Sequence, residues 1–249
     1  MDIFNPFSLK GKTILVTGAS SGIGKAIAVA CSKMGAFTII SGRNAERLQS
    51  TFQELNGEDN LCVIADLTDE TSVNSLVDRL PKLDGIVHCA GIGHRQLAKQ
   101  VTVSDIEEVI SVNFSSAVLL QASILSKKKI NKSASIVFVA SRAASSPSIG
   151  NGIYSASKGA LISYAKCLSL ELAPRQIRVN CICPAMVWTD LIYKGGLTKE
   201  DLEEAQLKYP LKRYGQPEDV AYLAIYLLSD ASSWMTGSSV DLTGGASNL

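Results

Sequence analysis

Tyr154 and Lys158 stand four residues apart, and Ser141 lies thirteen residues before Tyr154. On a helix, four residues make about one turn, so the phenol and the ammonium project from one face. A phenol, with a reference pKa of about 10, is too weak to act near neutral pH, but a nearby lysine ammonium favours the phenolate. Such a pair can exchange a proton with a carbonyl or alcohol oxygen, which the Ser141 hydroxyl can also hydrogen-bond. The spacing alone also fits a packed tyrosine beside a solvated lysine.

A glycine-rich segment near the N-terminus is a second signature. Residues 17–24 read Thr-Gly-Ala-Ser-Ser-Gly-Ile-Gly, after a β-branched run at 13–16 and before a helical stretch that ends at Gly35. Glycines let the backbone approach a phosphate, and a helix N-terminus offers free N–H groups. The spacing differs from the Gly-x-Gly-x-x-Gly of the commoner dinucleotide fingerprint. A dinucleotide-binding loop is predicted, with a ligand-free glycine turn as the alternative.

With both motifs in this order, the chain resembles the short-chain dehydrogenase/reductase family over about residues 9–245. The resemblance implies a nicotinamide cofactor, hydride transfer and one doubly wound domain. It implies four catalytic residues, namely Asn113, Ser141, Tyr154 and Lys158. Tyr154 and Lys158 also match cofactor contacts of the family, as do Gly18, Ser20, Ser21, Gly22, Ile23, Gly24, Arg43, Asp66, Leu67, Ala90, Gly91, Pro184, Val187 and Thr189.

The end of the second predicted strand bears on the choice between NAD and NADP. NAD sites usually have an Asp or Glu about 20 residues after the glycine loop, but residues 41–44 read Ser-Gly-Arg-Asn. Arg43 offers a cation with paired donors for a 2′-phosphate, and Ser41 and Asn44 could add more donors. NADP(H) is therefore favoured over NAD(H). Against this, Arg43 also fits an ordinary surface arginine, and Ser21 stands where many NADP-preferring members have a basic residue.

Two departures from the family pattern stand close to the predicted site. His88 and Cys89 replace the asparagines of the usual Asn-Asn-Ala-Gly, and Ala185 replaces the glycine after Pro184. We expect the first departure to affect the stability of the central sheet more than the chemistry.

Apolar strands alternate with helices along the whole chain. Strands are predicted at about 13–17, 36–41, 61–65, 85–89, 135–140, 177–182 and 239–242. Helices are predicted at about 23–34, 44–56, 69–79, 103–126, 154–173 and 217–229. This pattern predicts an α/β fold, with a single doubly wound Rossmann-type parallel sheet of about seven strands and helices on both faces, in one domain over 1–249. Because the site residues follow strand ends, one crevice should collect them.

Composition excludes several other classes of function. The 249 residues carry 24 basic and 23 acidic side chains, a net charge of +1, so nothing suggests capture of nucleic acid or an anionic membrane. No run reaches the roughly 18 apolar residues that span a bilayer, and no signal peptide is visible. The six cysteines are scattered and only two histidines occur, so we expect reduced thiols, no metal and a cytoplasmic protein.

The substrate is predicted from weaker features. Residues 186–215 resemble the family's substrate lid, with an apolar start and a possible hinge at Gly195 and Gly196, although such a segment can also pack as a permanent helical cap. The pattern is most similar to 3-oxoacyl-acyl carrier protein reductases, which implies NADPH-dependent ketone reduction. Another ketone or alcohol, such as a sugar derivative or a steroid, is the alternative, and an inactive cofactor-binding protein is a remote one.

The resemblance also implies partners. Reductases of this kind dock an acidic carrier protein through basic residues near the active-site entrance, and Lys127, Lys128, Lys129 and Arg175 are the candidates here. A solvated helix terminus would explain this basic run equally well. Family members often form tetramers, so a homo-oligomer is expected.

Overall fold

The computed structural model describes residues 4–195 and 198–246. Within them the chain forms seven strands: β1 (Thr13–Thr17), β2 (Phe37–Gly42), β3 (Leu61–Ile64), β4 (Leu83–His88), β5 (Ile130–Val139), β6 (Arg178–Pro184) and β7 (Ser239–Leu242). The same residues form eight α-helices: α1 (Gly22–Lys33), α2 (Ala45–Gln53), α3 (Glu70–Arg79), α4 (Val103–Ile110), α5 (Ser116–Ser126), α6 (Gly152–Leu172), α7 (Lys199–Gln206) and α8 (Pro217–Leu228).

All seven strands join one parallel sheet in the order β3-β2-β1-β4-β5-β6-β7. The chain runs outward from β1 to β3 and then returns to β4 on the other side of β1. This reversal confirms the predicted doubly wound fold. Ligands of such sheets lie beyond the carboxyl ends of the strands at the reversal, here β1 and β4.

Side chains of β1 alternate between two apolar cores, one on each face of the sheet. Leu15 belongs to the core covered by α3, α5 and α6, whereas Ile14 and Val16 belong to the core covered by α1 and α8. None of the three has exposed surface. Burial on both faces requires strands that are apolar throughout, which is why β1 reads as an unbroken apolar run.

The helix predicted at 103–126 is α4 and α5 joined by a π-helical turn, Ser111–Ser115. By length and composition alone, Val103–Ser126 could cross a membrane, so the expectation that no segment reaches that length is wrong. Leu120 and Ile124 are completely buried in the core between this helix and the sheet. Packing against the sheet therefore accounts for part of the apolar composition, while Val103, Ile106 and Leu119 remain exposed.

The described part of the predicted lid is folded as a small helical cap, and its role in covering a substrate stays a prediction. α7 begins with a capping box in which Thr198 and Asp201 each bond the other's backbone N–H. Leu202 is completely buried in an apolar cluster with Tyr209 and Tyr214. α7 was not among the predicted helices, although the Thr-x-x-Asp spacing marks its start.

Only one of the two glycines suggested as a hinge lies among the described residues. Gly195 ends a short 3-10 helix, and Gly196 lies outside the described residues. The hinge therefore stays a prediction.

The basic residues proposed to dock a carrier protein lie at the far edge of the sheet. Residues 127–129 precede β5 and Ser141 follows it, so the whole length of the strand, with its irregularity between Ile130 and Ser135, separates them. Arg175 follows α6, and most of that 21-residue helix separates it from Tyr154, by about 30 Å. A residue that precedes a strand lies at the amino edge of the sheet, so these residues lie away from the crevice of their own chain. Their role in docking a carrier protein stays a prediction.

Candidate active site

One crevice beyond the carboxyl ends of the strands collects the predicted site residues. Its volume is about 650 Å³, and Ser141, Tyr154 and Lys158 line it. Asn113 lies behind the lining residue Ile92, to which it is hydrogen-bonded. The remaining residues matched to cofactor contacts all line the same crevice: Gly18, Ser20, Ser21, Gly22, Ile23, Gly24, Arg43, Asp66, Leu67, Ala90, Gly91, Pro184, Val187 and Thr189.

The glycine loop passes from β1 to α1 directly against the end of β4. Gly18 has a φ of +65°, and a Cβ there would lie 2.8 Å from the Ala90 Cα. A Cβ on Gly24 would collide with the Gly18 carbonyl. Thr17 ties the two strand ends together, because its Oγ1 accepts the Cys89 N–H at 3.1 Å. The loop therefore requires glycine at both positions.

The N-terminus of α1 leaves its backbone donors without a side-chain cap. Ser21 is the N-cap residue and makes no capping hydrogen bond. In contrast, Asn44, Asp69 and Thr102 each cap the helix that follows them. Free N–H groups at the positive end of a helix dipole suit an anion. The loop and helix start therefore fit the pyrophosphate of a dinucleotide.

Tyr154 and Lys158 lie one turn apart near the start of α6. The Lys158 side chain is almost completely buried, and its ammonium donates to the Val139 carbonyl at 3.0 Å. Its Nζ lies 5.9 Å from the Tyr154 ring centroid. Ser141 follows β5, and its Oγ accepts the Ala143 N–H at 3.1 Å. The hydroxyl proton of Ser141 thus has no acceptor among the described residues and can serve a substrate oxygen.

Asn113 occupies the middle of the π turn and is completely buried. Its Oδ1 accepts the Ile92 N–H at 2.7 Å, while its Nδ2 donates to the Ile92 carbonyl at 3.0 Å and to Ser157 Oγ at 3.1 Å. A Cβ on Gly91 would lie 3.2 Å from Asn113 Oδ1 and 3.3 Å from Lys158 Nζ. The amide and the ammonium therefore flank the same glycine. π turns within helices frequently occur at functional sites.

Arg43 stands at the end of β2, where the cofactor argument needs a cation. Its guanidinium lies 3.9 Å from the Asp66 carboxylate, and both side chains remain about half exposed. Hydrogen bonds from the side chain and backbone of Thr68 lower the pKa of the Asp66 carboxyl. Asn44 uses its side-chain oxygen to cap α2. Ser41 is completely buried and does not line the crevice, so its suggested role as a donor is wrong.

His88 and Cys89 occupy the places of the two family asparagines. The His88 ring stacks on Phe138, with centroids 4.6 Å apart and an interplanar angle of 9°, and its Nε2 lies 3.0 Å from Gln121 Oε1. Burial lowers the pKa of His88 to about 4 and raises that of the Cys89 thiol to about 12. Both side chains are therefore neutral near pH 7. The stack joins β4 to β5, and the Gln121 contact ties β4 to α5.

The segment after β6 reaches the glycine loop. Val187 forms an isolated parallel bridge with Gly215. Thr189 Oγ1 donates to the Val187 carbonyl at 3.3 Å, and a Cβ on Gly22 would lie 3.1 Å from the Thr189 methyl. The glycine loop and the segment after β6, both matched to cofactor-binding residues of the family, therefore touch each other although they are far apart in sequence.

The substrate half of the crevice has an apolar wall and a polar wall. The apolar wall comes from the cap: Met186, Leu191, Ile192 and Tyr209. The polar wall comes from the loops that follow β4 and β5: His94, Arg95, Ser146, Ser148 and Asn151. Sequence reasoning found the apolar wall but assigned no role to the polar one. The position of both loops beyond strand ends was the signal that could have identified it.

A nucleotide-type loop at the reversal of a doubly wound sheet, facing a tyrosine–lysine pair, defines a dinucleotide-dependent oxidoreductase. The family model described as enoyl-(acyl carrier protein) reductase matches residues 18–247. A 3-oxoacyl-acyl carrier protein reductase of Rickettsia felis is 38% identical over 238 residues, which cover 95% of this chain and 97% of the relative. The chain belongs to the short-chain dehydrogenase/reductase family and is an NAD(P)-dependent oxidoreductase acting on CH–OH or keto groups.

Solved structures agree with this assignment. A 3-ketoacyl-(acyl carrier protein) reductase of Brucella melitensis, complexed with NADH, has a TM-score of 0.85 and 31% identity over 96% of this chain and all of the other. A Beutenbergia cavernae protein described as an NAD(P)-dependent gluconate 5-dehydrogenase, with NADP at low occupancy, has a TM-score of 0.86 and 31% identity over 97% of this chain and 98% of the other. The two relatives differ in both cofactor and described substrate.

Proposed function

We propose that the protein reduces the ketone of a 3-oxoacyl thioester to a secondary alcohol with NADPH. The observation that carries the proposal is the shared crevice of Ser141, Tyr154 and Lys158 in a chain 38% identical to a 3-oxoacyl-acyl carrier protein reductase over nearly its whole length. The apolar wall of the crevice suits an acyl chain, and the polar wall suits the amide-rich arm of a carrier thioester.

Each catalytic residue has a distinct task. NADPH, when bound, supplies the hydride for the carbonyl carbon. Tyr154 donates a proton to the carbonyl oxygen, and the Ser141 hydroxyl hydrogen-bonds the same oxygen, so charge does not accumulate there. Lys158 favours the phenolate that remains and reaches the nicotinamide ribose. Asn113, held on Ile92, orients a water that passes replacement protons inward.

The cofactor contacts follow the same crevice. The loop from Gly18 to Gly24 and the start of α1 hold the pyrophosphate. Arg43 binds the 2′-phosphate, which is the basis for preferring NADPH over NADH. Asp66 and Leu67 meet the adenine. The remaining contacts lie towards the nicotinamide end: Ala90, Gly91, Pro184, Val187 and Thr189.

The proposal includes a cytoplasmic homotetramer that takes its substrate from acyl carrier protein. All six cysteines are free, as suits a reducing compartment. Large apolar side chains stand exposed on α4, α5 and α6: Val103, Ile106, Leu119 and Leu170. Contact with further copies of the chain would remove that surface from water.

A second candidate substrate is a sugar-derived keto acid. The polar wall of the crevice offers hydroxyl and amide groups from Ser146, Ser148 and Asn151, which suit a polyol. The likeness to a protein described as a gluconate 5-dehydrogenase points the same way.

The deciding experiment follows NADPH oxidation with acetoacetyl-acyl carrier protein, with NADH run in parallel. A crotonyl thioester and 5-ketogluconate serve as competing substrates, because they test reduction of a carbon–carbon double bond and of a sugar acid. We expect fast turnover of the acetoacetyl thioester with NADPH, and little with NADH. Faster turnover of 5-ketogluconate or of the crotonyl thioester would replace the proposed substrate.

A further inference from the structure

Arg95 differs from the other arginines that line the crevice. The others each face a carboxylate at 3.0–3.9 Å: Arg43 faces Asp66, Arg47 faces Asp190 and Arg142 faces Asp241. Within residues 4–195 and 198–246, Arg95 has neither an ion pair nor a hydrogen bond from its guanidinium. Arg95 thus presents an exposed cation at the crevice, with no carboxylate within 4 Å of its guanidinium in the described part of the chain.

The Arg95 side chain lies against the loop that leads into α6. It crosses Gly150, where a Cβ would lie 3.0 Å from Arg95 Cγ and 3.6 Å from its Nε. The neighbouring Gln96 N–H donates to the Gly150 carbonyl at 2.8 Å, which joins the two loops. Gly150 has a φ of +85° and precedes Tyr154 by four residues. A larger residue at Gly150 would therefore crowd the Arg95 side chain.

The position of Arg95 assigns it to the substrate and not to the dinucleotide. The groups that fit the pyrophosphate and 2′-phosphate follow β1 and β2, whereas Arg95 follows β4 on the polar wall with Ser148 and Asn151. A guanidinium offers paired donors that match phosphate and carboxylate oxygens. A neutral ketone would leave this cation without a partner.

We infer that Arg95 binds an anionic oxygen of the substrate, a phosphate or a carboxylate, at the end remote from the ketone. This inference rests on the proposed ketone reduction and makes Arg95 a specificity residue for it. Both proposed substrate classes carry an anionic oxygen, a phosphate at the end of the pantetheine arm in carrier and coenzyme A thioesters and a carboxylate in sugar acids, and the test distinguishes the two.

The test compares acetoacetyl coenzyme A with the neutral N-acetylcysteamine thioester of acetoacetate. For Arg95→Gln we expect the KM of the coenzyme A thioester to rise about tenfold, the loss typical of one charge-assisted hydrogen bond, with kcat and the KM of the neutral thioester within about twofold. Arg95→Lys should restore part of the affinity, because it keeps the charge but loses the paired donors. Lys99→Gln removes a nearby exposed cation that does not line the crevice and should behave as wild type.

The outcomes separate this inference from the proposed function. An equal rise in both KM values, or no rise in either, would overturn the role of Arg95 while thioester reduction stands. If the wild type reduces neither thioester, the proposed substrate is wrong, and 5-ketogluconate is then compared with the neutral ketose sorbose. If the KM of Arg95→Gln rises for 5-ketogluconate but not for sorbose, the inference holds for a carboxylate. An equal rise for both sugars would overturn it. If the wild type turns over none of the four compounds, both proposals are wrong.

Discussion

The Lys158 ammonium lies 5.9 Å from the ring centroid of Tyr154. Helix α6 sets this relation, because side chains four residues apart share one face. The Val139 carbonyl at the end of β5 holds the ammonium, at 3.0 Å, and the Ser157 hydroxyl bonds the Tyr154 carbonyl at 2.7 Å. The pair is therefore anchored to the sheet as well as to its own helix, and its geometry does not depend on the cap.

Tyr154→Phe should keep cofactor binding but remove nearly all turnover. The phenol is the proposed acid, and loss of a general acid typically lowers the rate by about 10²–10⁴. NADPH affinity, measured by fluorescence titration, should stay within about twofold of wild type. A variant that turned over the acetoacetyl thioester at the wild-type rate would remove Tyr154 from the mechanism.

Asn113→Ala should lower both stability and kcat. The change leaves buried groups of Ile92 and Ser157 without their partner, at a cost of about 1–3 kcal/mol for an unsatisfied group. Denaturant unfolding measures the stability and steady-state kinetics the rate. Ser169→Ala, another buried serine contact further along α6, is the control for destabilisation alone. If both variants lost stability equally and kept the same kcat, Asn113 would be only structural.

Arg43→Gln should weaken NADPH binding about tenfold or more and leave NADH binding within about twofold, because only NADPH carries the 2′-phosphate. The two dissociation constants can be measured by fluorescence titration. Lys132→Gln removes an exposed cation from the opposite edge of the sheet and serves as the charge control. Equal weakening of both cofactors would assign Arg43 to a part of the dinucleotide that they share.

The glycine loop was predictable because its requirements are local. Gly18 needs a positive φ, and the loop lies between an apolar strand and a helix start that both read clearly from the sequence. The doubly wound sheet follows from strands that are apolar throughout. The direction of the strands in such a parallel sheet also places residues 127–129 at its amino edge, because they directly precede β5. Their assignment to the active-site entrance came from resemblance and conflicted with this rule.

Other features depend on contacts that no local pattern reports. At the π turn the Asn113 amide bonds Ile92, which is 21 residues away. Helical periodicity runs through this segment without a break, so a continuous helix was predicted. Arg95 likewise gains its position from Gly150, in a loop with no periodic pattern. Such pairings arise from the packing of loops at the sheet edge and become visible only with the fold.

The pH dependence of stability should report on His88. Burial lowers its folded pKa to about 4, while the unfolded chain should titrate near the reference value of about 6.5. Below about pH 6.5 the unfolded state binds a proton that the folded state does not bind until about pH 4, so the free energy of unfolding falls as pH falls through this window, by about 3 kcal/mol in all.

His88→Asn isolates this contribution from the carboxyl groups that titrate in the same range. Asparagine cannot ionise, but it loses the stack on Phe138 and is too short to reach Gln121 from the position of the imidazole Nε2. Urea unfolding between pH 7 and pH 4.5 should therefore show a lower stability for the variant at pH 7 and a shallower decline than in the wild type. Only the wild type loses stability through the low pKa of a buried imidazole, so the two stability curves should converge towards acid pH. Parallel curves would mean that His88 takes up its proton without unfolding.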